Sequence, residues 1–382
     1  MSGQRGGNGG EMRHSKPATM VQIAERAGVA LSTVSYVLSG KRPVSREMRE
    51  RVLAAIEELD YRPHRPARAL ASGASHTIAL FLPWSQWQLL PLQQTFVAGA
   101  AQATSASDYG LLLSTATTDP ETITQLVARG RADGVILMET LVDDPRVERL
   151  QAEGYPFVLI GRTGDMTGIS YVDLDFPDAV DTSLAHLARL GHTCVALFNF
   201  APDLLEAGYT SALLARDFFE QRAPEFGIRG IHISCSHQAS DAFAAAAQLL
   251  RSEPECTAAI TTSWQFPGVL SALRAADLRV PDDFSIVSVL AAQFAEMLTP
   301  SLTGVEWPAF EAGRMAAEML IEQLTAQDPP TRQHLISAEL VVRESTGPRR
   351  RTTTSTRRGD ATAPRDDDRV LVRQQQEDPR PV

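Results

Sequence analysis

The alternation of apolar runs with amphipathic segments is the feature that most limits the fold of this 382-residue chain. From Thr77 onward, short apolar runs are separated by stretches with helical spacing, such as Asp178 to Leu190 and Asp241 to Leu250. Continuous apolar strands that alternate with helices are typical of parallel sheets covered on both faces. About 270 residues of this kind suit two doubly wound lobes, so the body is predicted to be α/β. The predicted strands are Ile78 to Leu82, Gly110 to Ser114, Gly134 to Met138, Phe157 to Ile160, Cys194 to Phe198, Ala258 to Thr262 and Ser285 to Val289.

The first part of the chain follows a purely helical pattern. Thr19 and Gln22 form a capping-box pair that opens a short helix, and Gly28 ends it. A second helix is predicted from Leu31 to Leu38, and a third from its cap Ser45 to about Leu59. Three short helices with a glycine-containing turn between the first two are typical of a helix-turn-helix domain. The predicted apolar faces are Ile23, Ala24 and Ala27, then Val34, Val37 and Leu38, then Met48, Val52, Ile56 and Leu59.

Charge is distributed unevenly along the chain. Residues 1–76 carry 12 Lys and Arg against 7 Asp and Glu, residues 77–348 carry 15 against 33, and residues 349–382 carry 9 against 6. A basic N-terminal module on an acidic body predicts that only the N-terminal end faces a polyanion such as nucleic acid. A basic face that is merely solvated gives the same count, so charge alone leaves both interpretations open.

Several other classes of protein are disfavoured. No apolar run approaches the roughly 18 residues of a membrane span. His232 and His237 flank Cys235, but on a strand the two histidines point to opposite faces, so no metal site is predicted. No GxGxxG, Walker or GxSxG motif is present, so neither a cofactor nor an enzymatic activity is expected. The chain has three cysteines, which lie far apart in sequence at Cys194, Cys235 and Cys256. This odd number and spacing argue against a disulfide framework and indicate a reducing cytoplasm.

The second helix carries the side chains expected at DNA. In a helix-turn-helix domain this helix enters the major groove, with its first residues at base edges and nearby hydroxyl groups on phosphates. The candidates for base contacts are Leu31, Ser32 and Tyr36. An ordinary three-helix packing module would show much of the same pattern. The candidates for contacts with the DNA backbone are Thr19, Thr33, Ser35, Lys41, Arg42, Ser45 and Arg46.

The stretch TMVQIAERAGVALSTVSYVLSGKRPVSREMRERVLAAIEELDYRP resembles the DNA-binding headpiece of the lactose repressor and galactose repressor (LacI/GalR) family without a gap. The following RPARALASG is similar to the hinge helix of that family, which inserts a leucine into the minor groove at the operator centre. The resemblance implies this role for Leu70, with Ala67 beside the groove, and apolar wedges of this kind kink DNA. A linker residue packed on the core is the other interpretation of Leu70.

The body resembles the effector-binding core of the same family from Thr77 to Thr346. The matching segments are RADGVILM, VLIGR, DAVDTSLAHLARLGHTCVALF, RVPDDFSIVSV, LTPSLTGV and LVVREST, in that order. The resemblance implies two periplasmic-binding-protein-like lobes, a ligand cleft between them and dimerisation through the core. The predicted domains are a disordered segment 1–17, the headpiece 18–62, a hinge helix and linker 63–75, the core 76–348 and a disordered tail 349–382.

Two departures from the family pattern lie in the headpiece. Tyr36 stands where the family has an arginine, which removes a bidentate donor to guanine, so the preferred half-site should differ at that base pair. Ala30 replaces a helix-capping serine, at a cost of about 1 kcal/mol to an isolated helix.

The cleft departs further from the family. Leu205, Ser263 and Leu290 stand where family members place an arginine, an asparagine and an aspartate that bind the effector. All four tryptophans align with cleft loops or inter-lobe crossovers, Trp307 among them, and aromatic walls with few charged anchors favour a flat, aromatic or apolar effector. A cleft that is filled by its own side chains and binds nothing is the other interpretation. The residues predicted to bind the effector are Trp84, Trp87, Asp175, Leu205, Ser263, Trp264 and Leu290. Asp173 and Asp175 share a face, where helix capping or a cleft hydrogen bond is expected rather than acid–base chemistry.

Together these features predict a cytoplasmic, nucleoid-associated regulator of transcription, in the first place a repressor. It should bind a palindromic double-stranded DNA operator as a homodimer and respond to a small-molecule effector, without a membrane partner. Two alternatives stay open. One is a small-molecule binding protein with a degenerate headpiece, and the other is a DNA-binding regulator without effector control.

Overall fold

The computed structural model describes residues 18–39, 42–59, 74–82, 91–114, 119–289 and 292–350. The predicted N-terminal segment 1–17, the hinge residues Ala67 and Leu70, and the tail from 351 onward lie outside these residues.

The headpiece contains three helices, α1 (Met20–Ala27), α2 (Leu31–Ser39) and α3 (Arg46–Glu58). The Thr19 capping box at the start of α1 is confirmed, and so is the stop at Gly28, which adopts the left-handed conformation with φ +64°. The small core is built from Ile23, Ala24, Ala27, Val34, Val52 and Ala55. The prediction for Met48 was wrong, because its side chain is 42% exposed. Arg51, about one turn further along α3, donates to the carbonyl oxygen of Ala27 at the end of α1.

The first lobe is a parallel sheet of six strands in the order β11-β5-β4-β3-β1-β2. Its last strand, β11 (Gln333–Ile336), comes from near the end of the described chain. Two apolar layers, one on each face of the sheet, bury its four central strands β5, β4, β3 and β1, as the alternating pattern predicted. The other elements are β1 (Thr77–Phe81), α4 (Pro91–Ala106), β2 (Gly110–Ser114), α5 (Pro120–Ala128), β3 (Gly134–Met138), α6 (Pro145–Glu153), β4 (Phe157–Ile160) and β5 (Tyr171–Leu174).

The second lobe has a sheet of six strands in the order β12-β10-β9-β8-β6-β7. Five of its strands are parallel, as predicted, and the edge strand β12 (Glu339–Val341) pairs antiparallel with β10. The other elements are α7 (Phe176–Arg189), β6 (Cys194–Asn199), α8 (Pro202–Glu206), α9 (Thr210–Arg222), a 3-10 helix (Ala223–Phe226), β7 (Arg229–Ser234), α10 (Ala239–Ser252), β8 (Ala258–Thr261), α11 (Phe266–Ala275), β9 (Ser285–Val289), α12 (Ala292–Ala295) and β10 (Thr303–Glu306).

The chain passes between the lobes at three places. It leaves the first lobe after β5, returns after β10 through α13 (Ala309–Thr325), and leaves again between β11 and β12. Helix α13 packs closely on α4, since a Cβ atom at Gly313 would lie 2.1 Å from the carbonyl oxygen of Phe96. Trp307, in the second crossover, packs against the cores of both lobes. These crossovers bring the carboxyl ends of the two sheets to face each other.

Candidate functional site

The turn between α1 and α2 is held by an arginine of α3. Arg51 donates from Nη2 to the carbonyl oxygens of Ala27 and Gly28, at 2.5 and 3.2 Å. A Cβ atom at Gly28 would lie 2.5 Å from that Nη2, so only glycine fits both the positive φ and the arginine. Arg51 was not among the residues predicted from the sequence, although a cation at carbonyls that end a helix is a common stabilising arrangement. These hydrogen bonds tie α3 to the turn between α1 and α2.

The outer face of α2 carries the residues predicted to contact bases. Leu31 and Ser32 are exposed at its first turn, with Leu31 at 46% exposure, whereas Val34 is fully buried beneath them. Tyr36 is half-buried on the same helix. The guanidinium carbon of Arg42 lies 5.3 Å from the centroid of the Tyr36 ring, which is within cation–π range. Two side chains that the sequence assigned to bases and phosphates separately therefore form one unit.

The candidates for backbone contacts are spread around this face. Thr19 and Ser45 cap the N-termini of α1 and α3, and helix N-termini bind phosphate well. Arg46 is exposed and forms an ion pair with Glu50 at 2.8 Å. Thr33 and Ser35 are half-buried on α2, and Lys41 lies outside the described residues.

A second candidate site is a cavity of about 90 Å³ between the two lobes. Its lining is drawn from the carboxyl ends of strands of both sheets, and ligands of open α/β sheets bind at such edges. The residues that line it are Leu92, Gln93, Phe96, Met138, Glu139, Thr140, Ile160, Gly161, Asp173, Phe176, Phe200, Tyr209, Ser211, Ser263 and Trp307.

Glu139, the residue after β3, occupies an unusual position in this lining. Its backbone is left-handed, with φ +52°, a conformation that costs a non-glycine residue about 1–3 kcal/mol. The buried Arg146 donates from Nη2 to the Glu139 carbonyl oxygen at 2.8 Å and to both carboxylate oxygens of Asp144 through its guanidinium. The Glu139 carboxylate itself accepts a hydrogen bond from Gln93 Nε2 at 2.5 Å. Burial raises the pKa of Glu139 to about 7, although the Gln93 amide and the Arg146 charge act in the opposite direction.

A second carboxylate of the lining belongs to Asp173 in β5. Arg162 donates from Nε to Asp173 Oδ2 at 2.8 Å, and the Leu174 amide donates to Oδ1 at 2.8 Å. Burial nevertheless raises the pKa of Asp173 to about 6, against the charge of Arg162. Arg162 Nη2 and Trp307 Nε1 are buried and lack a hydrogen-bond acceptor within the part of the chain that the structure describes. Arg162 is not part of the lining, so the lining offers two carboxylates and one unpaired donor, Trp307 Nε1.

Aromatic side chains form the remaining walls of the cavity. Phe96 and Trp307 pack edge to face with their ring centroids 4.7 Å apart. Phe200 and Tyr209 make a similar pair at 5.1 Å. The aromatic walls expected from the sequence are therefore present, but only Trp307 of the two described tryptophans contributes to them.

Backbone contacts between the lobes close one side of the cavity. The segment after β3 pairs with the segment before α9, through a bridge between Leu141 and Tyr209. The amide of Thr210 donates to the carbonyl of Thr140 at 3.1 Å, and the amide of Val142 donates to the carbonyl of Gly208 at 2.9 Å. Separating the lobes would break these bonds beside Glu139.

The residues predicted to bind the effector divide into three groups. Ser263 lines the cavity. Asp175 instead caps α7, accepting from the Asp178 amide at 3.3 Å, and Trp264 packs on Phe266 and Phe294. Leu205 lies on α8, which does not line this cavity. Effector binding by Asp175, Trp264 and Leu205 therefore stays a prediction. Trp84, Trp87 and Leu290 lie outside the described residues.

Known protein families match the headpiece and much of the body. The model of the lacI family of bacterial regulatory proteins matches residues 19–64, and that of the periplasmic binding protein-like domain matches residues 184–346. The HTH-type transcriptional regulator AglR of Rhizobium meliloti is 31% identical over 343 residues, which cover 87% of this chain and 95% of the relative. The ribose operon repressor of Halalkalibacterium halodurans is 29% identical, over 86% of this chain and 97% of the relative.

Solved structures agree on the architecture. The transcriptional regulator CelR in complex with cellobiose superposes with a TM-score of 0.65 at 27% identity, over 86% of this chain and 99% of the other. The lac repressor dimer bound to operator and an anti-inducer has a TM-score of 0.73 at 24% identity, over 87% of this chain and all of the other, and so supports the fold. None of the helices that the structure describes combines the length and apolarity needed to cross a membrane.

Proposed function

Because the chain belongs to the lacI family of bacterial regulatory proteins, we propose that it represses transcription by binding, as a homodimer, an operator with two symmetric half-sites. Each half-site would be read by α2 of one protomer, and a small molecule in the cavity between the lobes would control the affinity for DNA. A helix-turn-helix dimer of this kind places its recognition helices in successive major grooves.

The outer face of α2 is the observation that supports DNA reading most directly. Leu31 and Ser32 are exposed beside the Tyr36–Arg42 stack, while the helix is anchored by Val34 from below. An exposed leucine and hydroxyl group at the start of α2, with the guanidinium group of Arg42 on the same side, are of little use to a packing module but match the edges of bases. The charge of residues 1–76, with 12 basic against 7 acidic side chains, has the sign that phosphates require.

The test is selection of bound duplexes from random DNA, followed by titration at several salt concentrations. We expect a palindromic motif, and an affinity that falls with salt with a log–log slope of about −0.9 for each phosphate contact. A variant that lacks residues 1–76 should not bind the selected duplex. Specific binding by that truncated variant would contradict the headpiece assignment. Absence of salt-sensitive binding by the full chain would favour a small-molecule binding protein with a degenerate headpiece.

The inter-lobe contacts support control by a ligand. A molecule that bridges the carboxyl ends of both sheets prefers one separation of the lobes, and it shifts the population towards that form by its difference in affinity. Intrinsic tryptophan fluorescence should report binding, because Trp307 lines the cavity. A metabolite screen read by this fluorescence, with operator affinity measured in parallel, tests the proposal. If no compound changes both signals, the regulator without effector control is favoured.

A further inference from the structure

The charges around the cavity do not balance. Arg146 is paired with Asp144, and Arg162 is paired with Asp173, each at hydrogen-bonding distance. Glu139 remains, and its carboxylate accepts only from the neutral Gln93 amide among the residues that the structure describes. An unpaired carboxylate that is shielded from water is unfavourable unless something supplies positive charge or a proton.

The lining around this carboxylate suits an organic cation. Trp307 and Phe96 form one aromatic pair of the lining, and Phe200 and Tyr209 form the other. Aromatic faces attract ammonium groups through their quadrupoles, and a carboxylate beside such faces adds a charge-assisted hydrogen bond. An apolar ligand would use the same walls but would leave the carboxylate without a partner.

One further group bears on the rest of the ligand. Trp307, which lines the cavity, has a buried Nε1 donor with no acceptor in the described part of the protein. A ligand with an oxygen atom near its cationic group would satisfy it. The cavity volume of about 90 Å³ is well below the roughly 300 Å³ of typical ligand pockets, so at this separation of the lobes the ligand must be small.

We propose that the effector is a small organic cation, an amine or quaternary ammonium compound that also carries oxygen acceptors, with its positive charge placed against the Glu139 carboxylate. This inference rests on the proposed function, because it names the ligand class of the same cleft. The sequence predicted an aromatic or apolar effector, since Glu139 was not counted among its binding groups and Asp173 was expected only to cap a helix or to form a cleft hydrogen bond.

Matched pairs of ligands test the proposal by calorimetry on the full chain. Choline and ethanolamine are the cations, and 3,3-dimethylbutanol and ethylene glycol are their neutral counterparts. At about pH 8 we expect at least one cation to bind, with an affinity at least about tenfold above that of its neutral counterpart. Glu139→Gln should abolish this preference. The exposed Glu148 on α6 provides a matched control, because Glu148→Gln removes a carboxylate of the same lobe away from the lining.

The pH dependence provides a second readout. The charged and titratable groups around Glu139 are Arg146, Tyr209 and Asp173. Burial raises the pKa of Glu139 to about 7, against the Gln93 hydrogen bond and the Arg146 charge. Cation affinity should therefore fall by about tenfold per pH unit below pH 7, as the carboxylate becomes protonated. A neutral ligand should not show this fall in affinity below pH 7, and a cation should not show it with the Glu139→Gln variant.

The possible outcomes separate this inference from the proposed function. If a neutral compound of a pair binds as tightly as the cation and releases the operator, ligand control stands and the cation proposal is overturned. If no cation binds at concentrations up to about 10 mM, the cation proposal is overturned as well. Binding of a cation that survives Glu139→Gln unchanged would also overturn it, because the charge would then lie elsewhere.

Discussion

A double-mutant cycle on Tyr36 and Arg42 gives the sharpest test of how this protein reads DNA. The guanidinium of Arg42 lies 5.3 Å from the Tyr36 ring centroid on the outer face of the headpiece. At exposed sites a contact of this kind contributes about 0.5–1 kcal/mol, which corresponds to about a two- to fivefold change in affinity. Each side chain that also contacts a base edge contributes about 1–3 kcal/mol to discrimination.

The variants are Tyr36→Ala, Arg42→Ala and the double variant, measured by fluorescence anisotropy on the selected operator at constant salt. If the ring orients the arginine towards DNA, the sum of the losses in binding free energy of the two single variants should exceed the loss of the double variant by about 0.5–1 kcal/mol. Tyr36→Phe keeps the ring and should keep most of this coupling. The control is the same cycle with Arg46 in place of Arg42. Arg46 is an exposed arginine of the same domain that pairs with Glu50 rather than with the ring, so no coupling with Tyr36 is expected.

Strict additivity would refute the reasoning. If the free-energy losses of Tyr36→Ala and Arg42→Ala add within about 0.3 kcal/mol, the stack does not operate on DNA. The binding specificity then distinguishes the role of the arginine. An Arg42→Ala variant that weakens all sequences equally and lowers the salt slope by about 0.9 contacts phosphate, whereas a loss confined to one base pair marks a base contact.

Three further outcomes are expected. Arg146→Met should lower the free energy of unfolding by about 3–5 kcal/mol in denaturant titration, because it leaves the Asp144 carboxylate buried without its cation. Adding Asp144→Asn should restore part of this loss. A loss below about 1 kcal/mol for the single variant would contradict the prediction. Burial lowers the pKa of His192 to about 4, below its ordinary value of 6.5, so thermal stability should decline as pH falls from 6.5 towards 4. His192→Gln should flatten that decline. An unchanged stability profile in the variant would show that other groups cause the decline. Leu70→Ala should reduce operator affinity and DNA bending together, measured by gel mobility of permuted duplexes, and full bending by the variant would exclude a wedge at the operator centre.

The body strands that the sequence predicted are those with unbroken apolar runs. Gly134 to Met138 and Phe157 to Ile160 were placed correctly to the residue, because strands buried on both faces form unbroken apolar runs. The strands that were missed are short, polar or at sheet edges. β5 contains Asp173, which forms an ion pair with Arg162, and β7 and β12 are edge strands that pair on one side only. No pattern in the sequence reveals such a pairing in advance.

The site could be predicted only in part. Side chains at the carboxyl ends of parallel strands form the cleft, and this rule alone would have selected Glu139 after β3 and Phe200 after β6. Alignment with the family selected Ser263, which does line the cavity, and also Asp175, which caps a helix there. The left-handed backbone of Glu139 and its support by Arg146 arise from tertiary contacts that propensity does not encode.

The energetics of Glu139 connect the cleft with regulation. The residue combines a left-handed backbone with a buried carboxylate whose pKa is raised to about 7, so near neutral pH the ionised form opposes closure of the lobes around it. Contacts such as the Thr210–Thr140 hydrogen bond hold the lobes together beside that charge. A cation in the cavity would remove the opposition, and the same interaction that binds it would favour the closed form. A ligand therefore acts on DNA only through its difference in affinity for the two lobe separations, and an unpaired carboxylate at the junction makes that difference large for a cation and small for a neutral molecule.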